Sequence, residues 1–346
     1  MSDPAERYDL AALSRALAAN GIATNGPLAL VPLTGGQSNP TFRLEGADRP
    51  LVLRKKPDGH LLASAHAVDR EFRIMRALHA SDVPVPRMYF YSEDVTILGT
   101  PFYVMEFLAG RTFEDQALPG MTPAERHAIY SEMLRVISAL HRVDYLALGL
   151  SDFGRPGNYV VRQIARWTRA YRESETVVIP AMDRLIDWLP AHAPDDTTTS
   201  IVHGDFRLDN LIFAPDEPRV IGVIDWELAT LGSPIADFSY HCMSRHIPAD
   251  VWRGIGGLDI AALGIPSEAD YIAGYAAATG LRADANWDFY LAYNLFRMAA
   301  ILQGIAKRAE DGTAAAENAV ETGRKARPLA DIGWDFAQKH TARSGN

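Results

Sequence analysis

Residues 201–213 read IVHGDFRLDNLIF and residues 220–227 read VIGVIDWE, and these two segments decide the fold of the chain. Each contains a short apolar run with the character of a β-strand. The first run leads into His203, Asp205 and Asn210, which follow an H-x-D-x-x-x-x-N spacing. The second run ends at Asp225, fifteen residues beyond the asparagine. We therefore expect two strands that deliver polar side chains at their ends.

This order of polar residues is the one that phosphoryl transfer from ATP requires of a kinase. Asp205 would orient an attacking hydroxyl and receive its proton, while Asn210 and Asp225 would hold Mg²⁺ ions that neutralise charge on the triphosphate. Gly-Asp dipeptides are also common in turns between strands, so an H-G-D motif alone would be a weak signal. The asparagine at the right offset and the second strand ending in aspartate favour the catalytic interpretation, with ATP and Mg²⁺ as cofactors.

The motif H-G-D-F-R-L-D-N followed by I-D-W-E resembles the aminoglycoside phosphotransferase and choline kinase superfamily, a branch of the protein-kinase-like fold. Gly204 stands where protein kinases usually carry arginine, and the D-F-G and A-P-E motifs are missing, which disfavours a kinase that acts on proteins. The resemblance implies a two-lobed α+β fold, with a small antiparallel-sheet lobe for the nucleotide at residues 1–108. The larger helical lobe for catalysis and substrate binding would span residues 109–346.

Composition limits the partners of the chain. Its 346 residues, 48% of them hydrophobic, suffice for two lobes that each have a core. The net charge of −9 argues against nucleic acid or an anionic membrane as the main partner. We expect neither a membrane span nor a signal peptide, and hence a cytoplasmic protein, because no apolar run is long enough and the N-terminus lacks a basic segment. The single cysteine, Cys242, excludes an internal disulfide framework.

The first part of the chain reads as strands around a glycine loop. Strands are predicted at residues 28–33, 41–44 and 51–54, and residues 35–40 between the first two read GGQSNP. Glycines in such a loop let backbone N–H groups approach phosphate oxygens closely, although a hairpin turn would have the same composition. By resemblance to the superfamily, Gly36, Ser38 and Asn39 would contact the phosphates of the nucleotide.

A cation and a glutamate follow this loop. Arg54 and Lys55 close the third predicted strand and, since side chains alternate along a strand, they point to opposite faces. Alignment with the kinase V-A-I-K motif places Arg54 at the phosphate-binding position, and several superfamily members resemble this in using arginine. Lys55 or Lys56 would replace it if the strand ended in a bulge. Glu71, on a predicted amphipathic helix, would pair with the phosphate-binding cation.

The resemblance assigns roles to further residues. The predicted strand at residues 101–107 would run into a hinge that hydrogen-bonds adenine through the Glu106 carbonyl and the Leu108 N–H. Arg207 stands two residues after Asp205, where protein kinases place a lysine that steadies the γ-phosphate. Asp237, in a motif similar to the family's G-D-P-x-x-D-L, would brace the backbone of the catalytic loop.

Helical periodicity dominates the chain beyond residue 122, including residues 251–333. Arg162, Arg166 and Arg169 share one helical stripe, which is either a solvated face or a site for an anionic substrate group. The segment GNYVVRQIARW, which spans residues 157–167 and contains Arg162 and Arg166, resembles the kinase-like domains fused to, or encoded near, acyl-CoA dehydrogenases. This resemblance implies a hydroxyacyl-CoA or related hydroxy acid as substrate, and a functional association with an acyl-CoA dehydrogenase.

The sequence therefore predicts a kinase that transfers the ATP γ-phosphate to the hydroxyl of a small molecule. Choline, homoserine and aminoglycosides remain alternative acceptors, since an aromatic cage for choline or an acidic lining for an aminoglycoside is not readable from one sequence. The rival from another class is a catalytically silent module that binds nucleotide or acyl-CoA and regulates a dehydrogenase. It is disfavoured because Asp205, Asn210 and Asp225 are all present.

Overall fold

The computed structural model describes residues 8–33, 39–58, 67–195, 197–283, 286–312 and 318–344 of the chain. The chain divides into two compact units. The first comprises Met1–Thr112, Leu146–Leu150 and Asn210–Ala229, and the second comprises Phe113–Tyr145, Ser151–Asp209 and Thr230–Asn346. Within the described ranges, no helix combines the length and the apolar character needed to cross a membrane.

The first unit is built on an antiparallel sheet of five strands. They are β1 (Thr24–Pro32), β2 (Thr41–Ala47), β3 (Leu51–Lys55), β4 (Met88–Ser92) and β5 (Phe102–Glu106). Their spatial order is β1-β2-β3-β5-β4, so β3 lies at the centre. In the register of the sheet, Arg54 on β3 stands opposite Thr41 on one side and Tyr103 on the other. The central strand therefore holds Arg54 at its carboxyl end.

Helix α1 (Leu10–Ala19) packs its apolar stripe into the core of this sheet. The Asp9 side chain accepts a hydrogen bond from the Ala12 N–H at 2.8 Å and caps the helix, which ends before Gly21 in the left-handed conformation at φ +73°. Leu13 and Leu17, four residues apart and therefore on the same face, are fully buried in the apolar cluster of the sheet. Burial of each leucine contributes about 2 kcal/mol.

Helix α2 (Val68–Leu78) is amphipathic and buries one face within the first unit, where a short helix α3 (Val95–Leu98) also lies. Phe72, Met75 and Leu78 are buried at helical spacing, and Glu71 is buried beside them. A carboxylate on the buried face of a helix requires polar partners in the core, because an unpaired buried charge is costly. Those partners are Arg54, Asn39 and Tyr103.

Four short strands flank the segment that the sequence singled out. They are β6 (Ser200–Val202), β7 (Leu211–Phe213), β8 (Val220–Val223) and β9 (Thr230–Gly232). In the first unit β7 pairs with β8 in an antiparallel hairpin, and in the second unit β6 pairs with β9. The predicted catalytic residues therefore stand at strand ends, as the alternation of apolar and polar segments indicated.

The second unit is otherwise helical. Its longest helix is buried over most of its length, and other helices of the unit pack against it. The helices are α4 (Pro123–His141), α5 (Tyr159–Ser174), α6 (Pro180–His192), α7 (Pro234–Cys242), α8 (Glu268–Thr279), α9 (Trp287–Glu310), α10 (Ala319–Arg324) and α11 (Ala326–Ser344).

The predicted α+β class, with a small antiparallel sheet and a larger helical part, is confirmed. The prediction of helix from residue 251 is wrong for residues 251–266, which form turns before α8 begins. Glycine explains the difference, because it is a poor helix former and because Gly257 and Gly264 have φ angles of +84° and +76°, which a right-handed helix does not contain. The division into residues 1–108 and 109–346 stays a prediction about lobes, whereas the observed first unit extends to Thr112 and includes Asn210–Ala229.

Candidate active site

A buried arginine joins two carboxylates in the first unit. Arg54 exposes only 10% of its side chain; its Nε lies 3.1 Å from Glu71 Oε2, and its Nη2 donates a hydrogen bond to Asp225 Oδ1 at 2.8 Å. Burial disfavours the charged guanidinium, but the negative charges beside it, Glu71 foremost, raise the pKa of Arg54 above its ordinary value. The predicted pairing of Glu71 with a cation of the third strand is therefore present, and the cation is Arg54.

Glu71 is held by further donors. Its side chain is 1% exposed, the Asn39 amide donates to Oε1 at 2.8 Å, and the Tyr103 hydroxyl donates to Oε2 at 3.0 Å. Burial raises the pKa of Glu71, an effect that Arg54 and these hydrogen bonds oppose. Asn39 was predicted to contact phosphates, and in the structure its side chain is buried against Glu71 instead of facing outward. Tyr103 was not predicted.

Lys55 points away from this group. Its side chain is fully buried, and its Nζ donates to Asp58 Oδ1 at 2.7 Å and to the Tyr8 hydroxyl at 3.3 Å. The same Nζ lies 4.6 Å from the centre of the Tyr8 ring. Neighbouring side chains on a strand face opposite ways, so Arg54 and Lys55 serve different surroundings. Of the two candidates for phosphate contact, the geometry favours Arg54.

The two predicted metal ligands belong to the β7–β8 hairpin. The Ile224 N–H donates to the Asn210 carbonyl oxygen at 3.0 Å, so Asn210 and Asp225 lie close together at one end of the hairpin. Asp225 has a left-handed backbone conformation at φ +66°, which is uncommon for a residue other than glycine and is concentrated at functional sites. Its side chain is 33% exposed, so it remains accessible despite the bond to Arg54.

The chemistry of this donor pair fits Mg²⁺. Amide and carboxylate oxygens are the hard ligands that the ion prefers, and Mg²⁺ sites commonly use one or two protein ligands plus phosphate oxygens and water. Among the described residues, no group of three or more His, Cys, Asp or Glu side chains is arranged to hold a metal ion. A metal at Asn210 and Asp225 would accordingly depend on the phosphates of a nucleotide for its remaining ligands.

The predicted adenine contacts involve the backbone at the end of β5. Glu106 is the last residue of β5, and its Oε2 accepts a hydrogen bond from the Arg87 N–H at 3.2 Å. Leu108 packs closely on Gly222 of β8, where an added Cβ would lie 2.2 Å from Leu108 Cδ1. The roles of Glu106 and Leu108 at adenine stay predictions. Two predicted phosphate contacts, Gly36 and Ser38, lie outside the described residues.

In the second unit, Asp205 is held through its carboxylate. Arg207 Nε lies 2.8 Å from Asp205 Oδ1, and Arg207 Nη2 donates to Oδ2 at 3.1 Å. Burial disfavours the charged form of Arg207, but Tyr240 and the carboxylates of Asp205 and Asp209 raise its pKa above the ordinary value. Arg207 therefore contacts the predicted base in this structure, and its predicted contact with a γ-phosphate stays a prediction.

The backbone that presents Asp205 is fixed by Asp237. This buried carboxylate accepts hydrogen bonds from the His203 and Gly204 N–H groups, each at 2.8 Å, and it lies 3.2 Å from His141 Nε2. Burial would raise the pKa of Asp237, but His141, His203 and these bonds outweigh it and lower the pKa. Gly204 has φ +83°, a conformation that favours glycine. The predicted brace of this backbone by Asp237 is present in the structure, and the catalytic role of the loop stays a prediction.

Two residues outside the predicted set also contact the catalytic loop. The Tyr240 hydroxyl donates to Asp205 Oδ1, and Arg297 Nη2 donates to the Gly204 carbonyl oxygen. The Arg297 guanidinium lies 4.9 Å from the centre of the Tyr240 ring and 5.6 Å from that of Trp167. Periodicity offered no signal for them, because α7 is buried along its whole length and α9 along most of it.

Comparison with known proteins identifies the family. The phosphotransferase enzyme family matches residues 29–293. Acyl-CoA dehydrogenase family member 10 of Mus musculus is 48% identical over 325 residues, which are 93% of this chain and 30% of that protein. A crystal structure from Ralstonia eutropha, provisionally named an aminoglycoside phosphotransferase, shares 53% identity at a TM-score of 0.88, covering 96% of this chain and 99% of that one.

A more distant structure shares the fold. It is a thermostable mutant of aminoglycoside phosphotransferase APH(4)-Ia in a ternary complex with AMP-PNP and hygromycin B, with 17% identity and a TM-score of 0.58, covering 89% of this chain and 95% of that one. The chain spans less than half the length of the acyl-CoA dehydrogenase relatives, 30% to 44%. The predicted superfamily, kinase-like fold and phosphotransferase class are confirmed, and the chain belongs to the phosphotransferase enzyme family.

Proposed function

We propose that this chain transfers the γ-phosphate of ATP to the hydroxyl of a small molecule, with Mg²⁺ bound beside the phosphates. The observation that carries the proposal is the way Asp205 is held, on a loop whose backbone is bonded to Asp237 and with its carboxylate bonded to Arg207 and Tyr240. A general base must be fixed in orientation before it can align a hydroxyl for attack. The AMP-PNP bound by the aminoglycoside phosphotransferase with this fold supports ATP as the donor.

Each protein group has a defined task in this reaction. Asp205 aligns the acceptor hydroxyl and takes its proton as the oxygen attacks the γ-phosphorus, while the bond from that phosphorus to the β–γ bridging oxygen breaks and ADP leaves. Asn210 and Asp225 would hold Mg²⁺, which would supply positive charge to the phosphate oxygens. Arg54, kept in place by Glu71, contacts the phosphates. Positioning and charge neutralisation account for most of the rate gain in such transfers.

The remaining predicted contacts complete the nucleotide site in this proposal. Gly36 and Ser38 would bind phosphate oxygens, and the Glu106 carbonyl and Leu108 N–H would bind adenine. Asn39 would act indirectly in our proposal, because its amide already donates to Glu71. It would orient the carboxylate that orients Arg54.

For the acceptor, we propose an anionic hydroxy compound such as a hydroxyacyl-CoA or hydroxy acid. Arg162 on α5 donates to the Gly157 and Arg155 carbonyl oxygens, whereas Arg166 and Arg169 form no ion pair with a carboxylate anywhere in the described part of the chain. Surface arginines usually find acidic neighbours, and guanidinium groups suit carboxylates and phosphates. The charges of Arg166 and Arg169, which form no ion pair among the described residues, therefore favour an anionic ligand over a purely solvated face.

The position of this arginine stripe relates it to the catalytic loop. Trp167 follows Arg166 on α5, on a neighbouring face of the helix, and Arg297 joins its ring to the Gly204 carbonyl, one residue before Asp205. The Arg166 guanidinium lies 5.1 Å from the centre of the same ring. A field of positive charge here would repel aminoglycosides and choline, which are cations, and would attract the phosphates of coenzyme A. The similarity to an acyl-CoA dehydrogenase family member supports a functional association with such an enzyme.

Thermal stabilisation tests the proposal, because a ligand that binds only the folded protein raises its Tm. The chain is heated with ATP and Mg²⁺, then with a panel comprising a hydroxyacyl-CoA, a free hydroxy acid, choline, homoserine and an aminoglycoside. We expect a rise with ATP and Mg²⁺, a further rise with the hydroxyacyl-CoA, and a phosphorylated acceptor in the mass spectrum. Stabilisation by acyl-CoA alone, without any response to nucleotide, would instead favour the silent binding module.

A matched pair of variants tests the acceptor class. Arg166→Glu reverses a charge on the stripe and should raise the KM of the anionic acceptor about tenfold, with the KM of ATP unchanged. Arg184→Glu is the control, since Arg184 is an exposed arginine of α6 that lies 5.0 Å from the centre of the Trp334 ring. Equal effects of the two substitutions would contradict an anionic acceptor at the stripe.

A further inference from the structure

Asp205 receives a hydrogen bond from a tyrosine of a different element. Tyr240, on α7, is 3% exposed, and its hydroxyl donates to Asp205 Oδ1, the oxygen that also lies 2.8 Å from Arg207 Nε. Arg207 is only two residues away on the same loop, so its contact with Asp205 is local. Tyr240 ties the carboxylate itself to α7 of the second unit.

The helix that carries Tyr240 also fixes the loop backbone. Asp237 and Tyr240 are three residues apart on α7 and therefore lie on the same face. Asp237 accepts the His203 and Gly204 N–H groups, while Tyr240 reaches the side chain of Asp205. The same helix, α7, therefore holds both the loop backbone at residues 203–204 and the side chain of Asp205.

The Tyr240 ring is itself held in place. The Arg297 guanidinium lies 4.9 Å from its centre and donates to the Gly204 carbonyl oxygen, so it bridges the ring and the loop. Burial, together with the charge of Asp205, raises the pKa of Tyr240 above its ordinary value. The phenol therefore keeps its proton at neutral pH and acts as a hydrogen-bond donor to the carboxylate.

We propose that Tyr240 is a positioning residue for phosphoryl transfer, which fixes the rotamer of Asp205 so that its carboxylate meets the acceptor hydroxyl in one orientation. Tyr240 touches neither substrate nor phosphate in this proposal and acts only through Asp205. Arg297 supports it by holding the ring against the loop. The inference rests on the proposed role of Asp205 as the base.

Tyr240→Phe tests this directly, because it removes the hydroxyl and keeps the ring beneath Arg297. With an acceptor that the wild type phosphorylates, we expect kcat to fall about 10-fold to 100-fold, as expected for loss of a hydrogen bond to a charged group. The KM values of ATP and acceptor should stay within about twofold. A fall in kcat without a change in KM is the signature of a positioning role, because a misfolded fraction would change the amount of active protein and lower Tm as well.

Tyr130→Phe is the matched control. Its hydroxyl is also buried and donates to the Gln116 carbonyl oxygen at 2.8 Å, away from the catalytic loop. Both variants lose one buried hydrogen bond of a tyrosine hydroxyl, so a loss of Tm is expected in both, whereas only Tyr240→Phe should lower the kcat of transfer. Equal kinetic effects in the two variants, or an unchanged kcat in Tyr240→Phe, would overturn the proposal.

A structural readout separates this inference from the proposed function. Crystal structures of the wild type and Tyr240→Phe should show a single Asp205 rotamer in the first and more than one in the second. One unchanged rotamer in both would refute the positioning role, whether or not the protein phosphorylates any acceptor. Absence of transfer by the wild type with every acceptor would instead refute the proposed function.

Discussion

Replacement of Glu71 by glutamine removes one charge from the buried network around Arg54 and keeps the size of the side chain. Glu71 now accepts from the Asn39 amide and the Tyr103 hydroxyl, and it lies 3.1 Å from Arg54 Nε. A glutamine has a single acceptor oxygen, so at least one of these donors would face an amide N–H. Removal of one partner from a buried ion pair costs about 3 to 5 kcal/mol. The bond from Arg54 to Asp225 remains, so we expect about 3 kcal/mol, the lower end of that range.

Urea unfolding measures this loss as a lower midpoint at an unchanged slope. The control is Glu217→Gln, which breaks an ion pair with Arg219 whose two side chains are 62% and 60% exposed and should cost less than about 0.5 kcal/mol. Released from Glu71, Arg54 should also bind phosphates less well, and the KM of ATP should rise. If Glu71→Gln and Glu217→Gln had equal midpoints, the account of the buried network would be refuted.

Three further substitutions test the roles of individual ionisable residues. Lys55→Met should leave the KM of ATP within about twofold of wild type, because Lys55 pairs with Asp58; a tenfold rise would return Lys55 to the phosphate site. Asp225→Ala should weaken ATP binding in calorimetry at least about tenfold with Mg²⁺ present and much less without it; wild-type affinity would exclude Asp225 as a metal ligand. His241 stays neutral when folded, since burial, together with the charge of Arg245, lowers its pKa to about 3. The unfolded chain takes up that proton near pH 6.5, so stability falls as pH drops from about 6.5 to 3, by at most ~1.4 kcal/mol per pH unit. In His241→Gln this contribution is lost, so the free energy of unfolding measured in urea should fall less steeply between pH 6 and 4 than in the wild type, by up to ~1.4 kcal/mol per pH unit. An unchanged pH dependence would contradict this account of His241.

The catalytic segment was predictable because its chemistry depends on spacing along the chain. Asp205, Asn210 and Asp225 stand at the ends of short apolar strands, and a strand followed by polar residues is legible without tertiary information. The choice between Arg54 and Lys55 could not be predicted from the sequence. All residues of β3 are buried, so no alternation of polar and apolar positions indicates which face meets the phosphates. Only the partners of the two side chains, which come from distant segments, distinguish them.

The supporting contacts of the site were harder to predict. Asn39 looked like a phosphate ligand from its place after the glycines, but the structure turns its side chain to Glu71, 32 residues away. Tyr240 and Arg297 lie on helices that bury nearly every side chain, and there the pattern of apolar residues carries no information about which polar group faces the catalytic loop. Such residues are recognised by their contacts and not by their position in a motif.

The central claim is that Asp205 takes the proton of an acceptor hydroxyl while the ATP site remains intact without it. Asp205→Asn keeps the shape of the side chain and removes the base. We measure the phosphorylated acceptor by mass spectrometry and the Kd of ATP with Mg²⁺ by calorimetry, for both proteins. The account predicts transfer lowered by about 10²-fold to 10⁴-fold with the Kd of ATP within about threefold of wild type. Transfer within tenfold of wild type would contradict it.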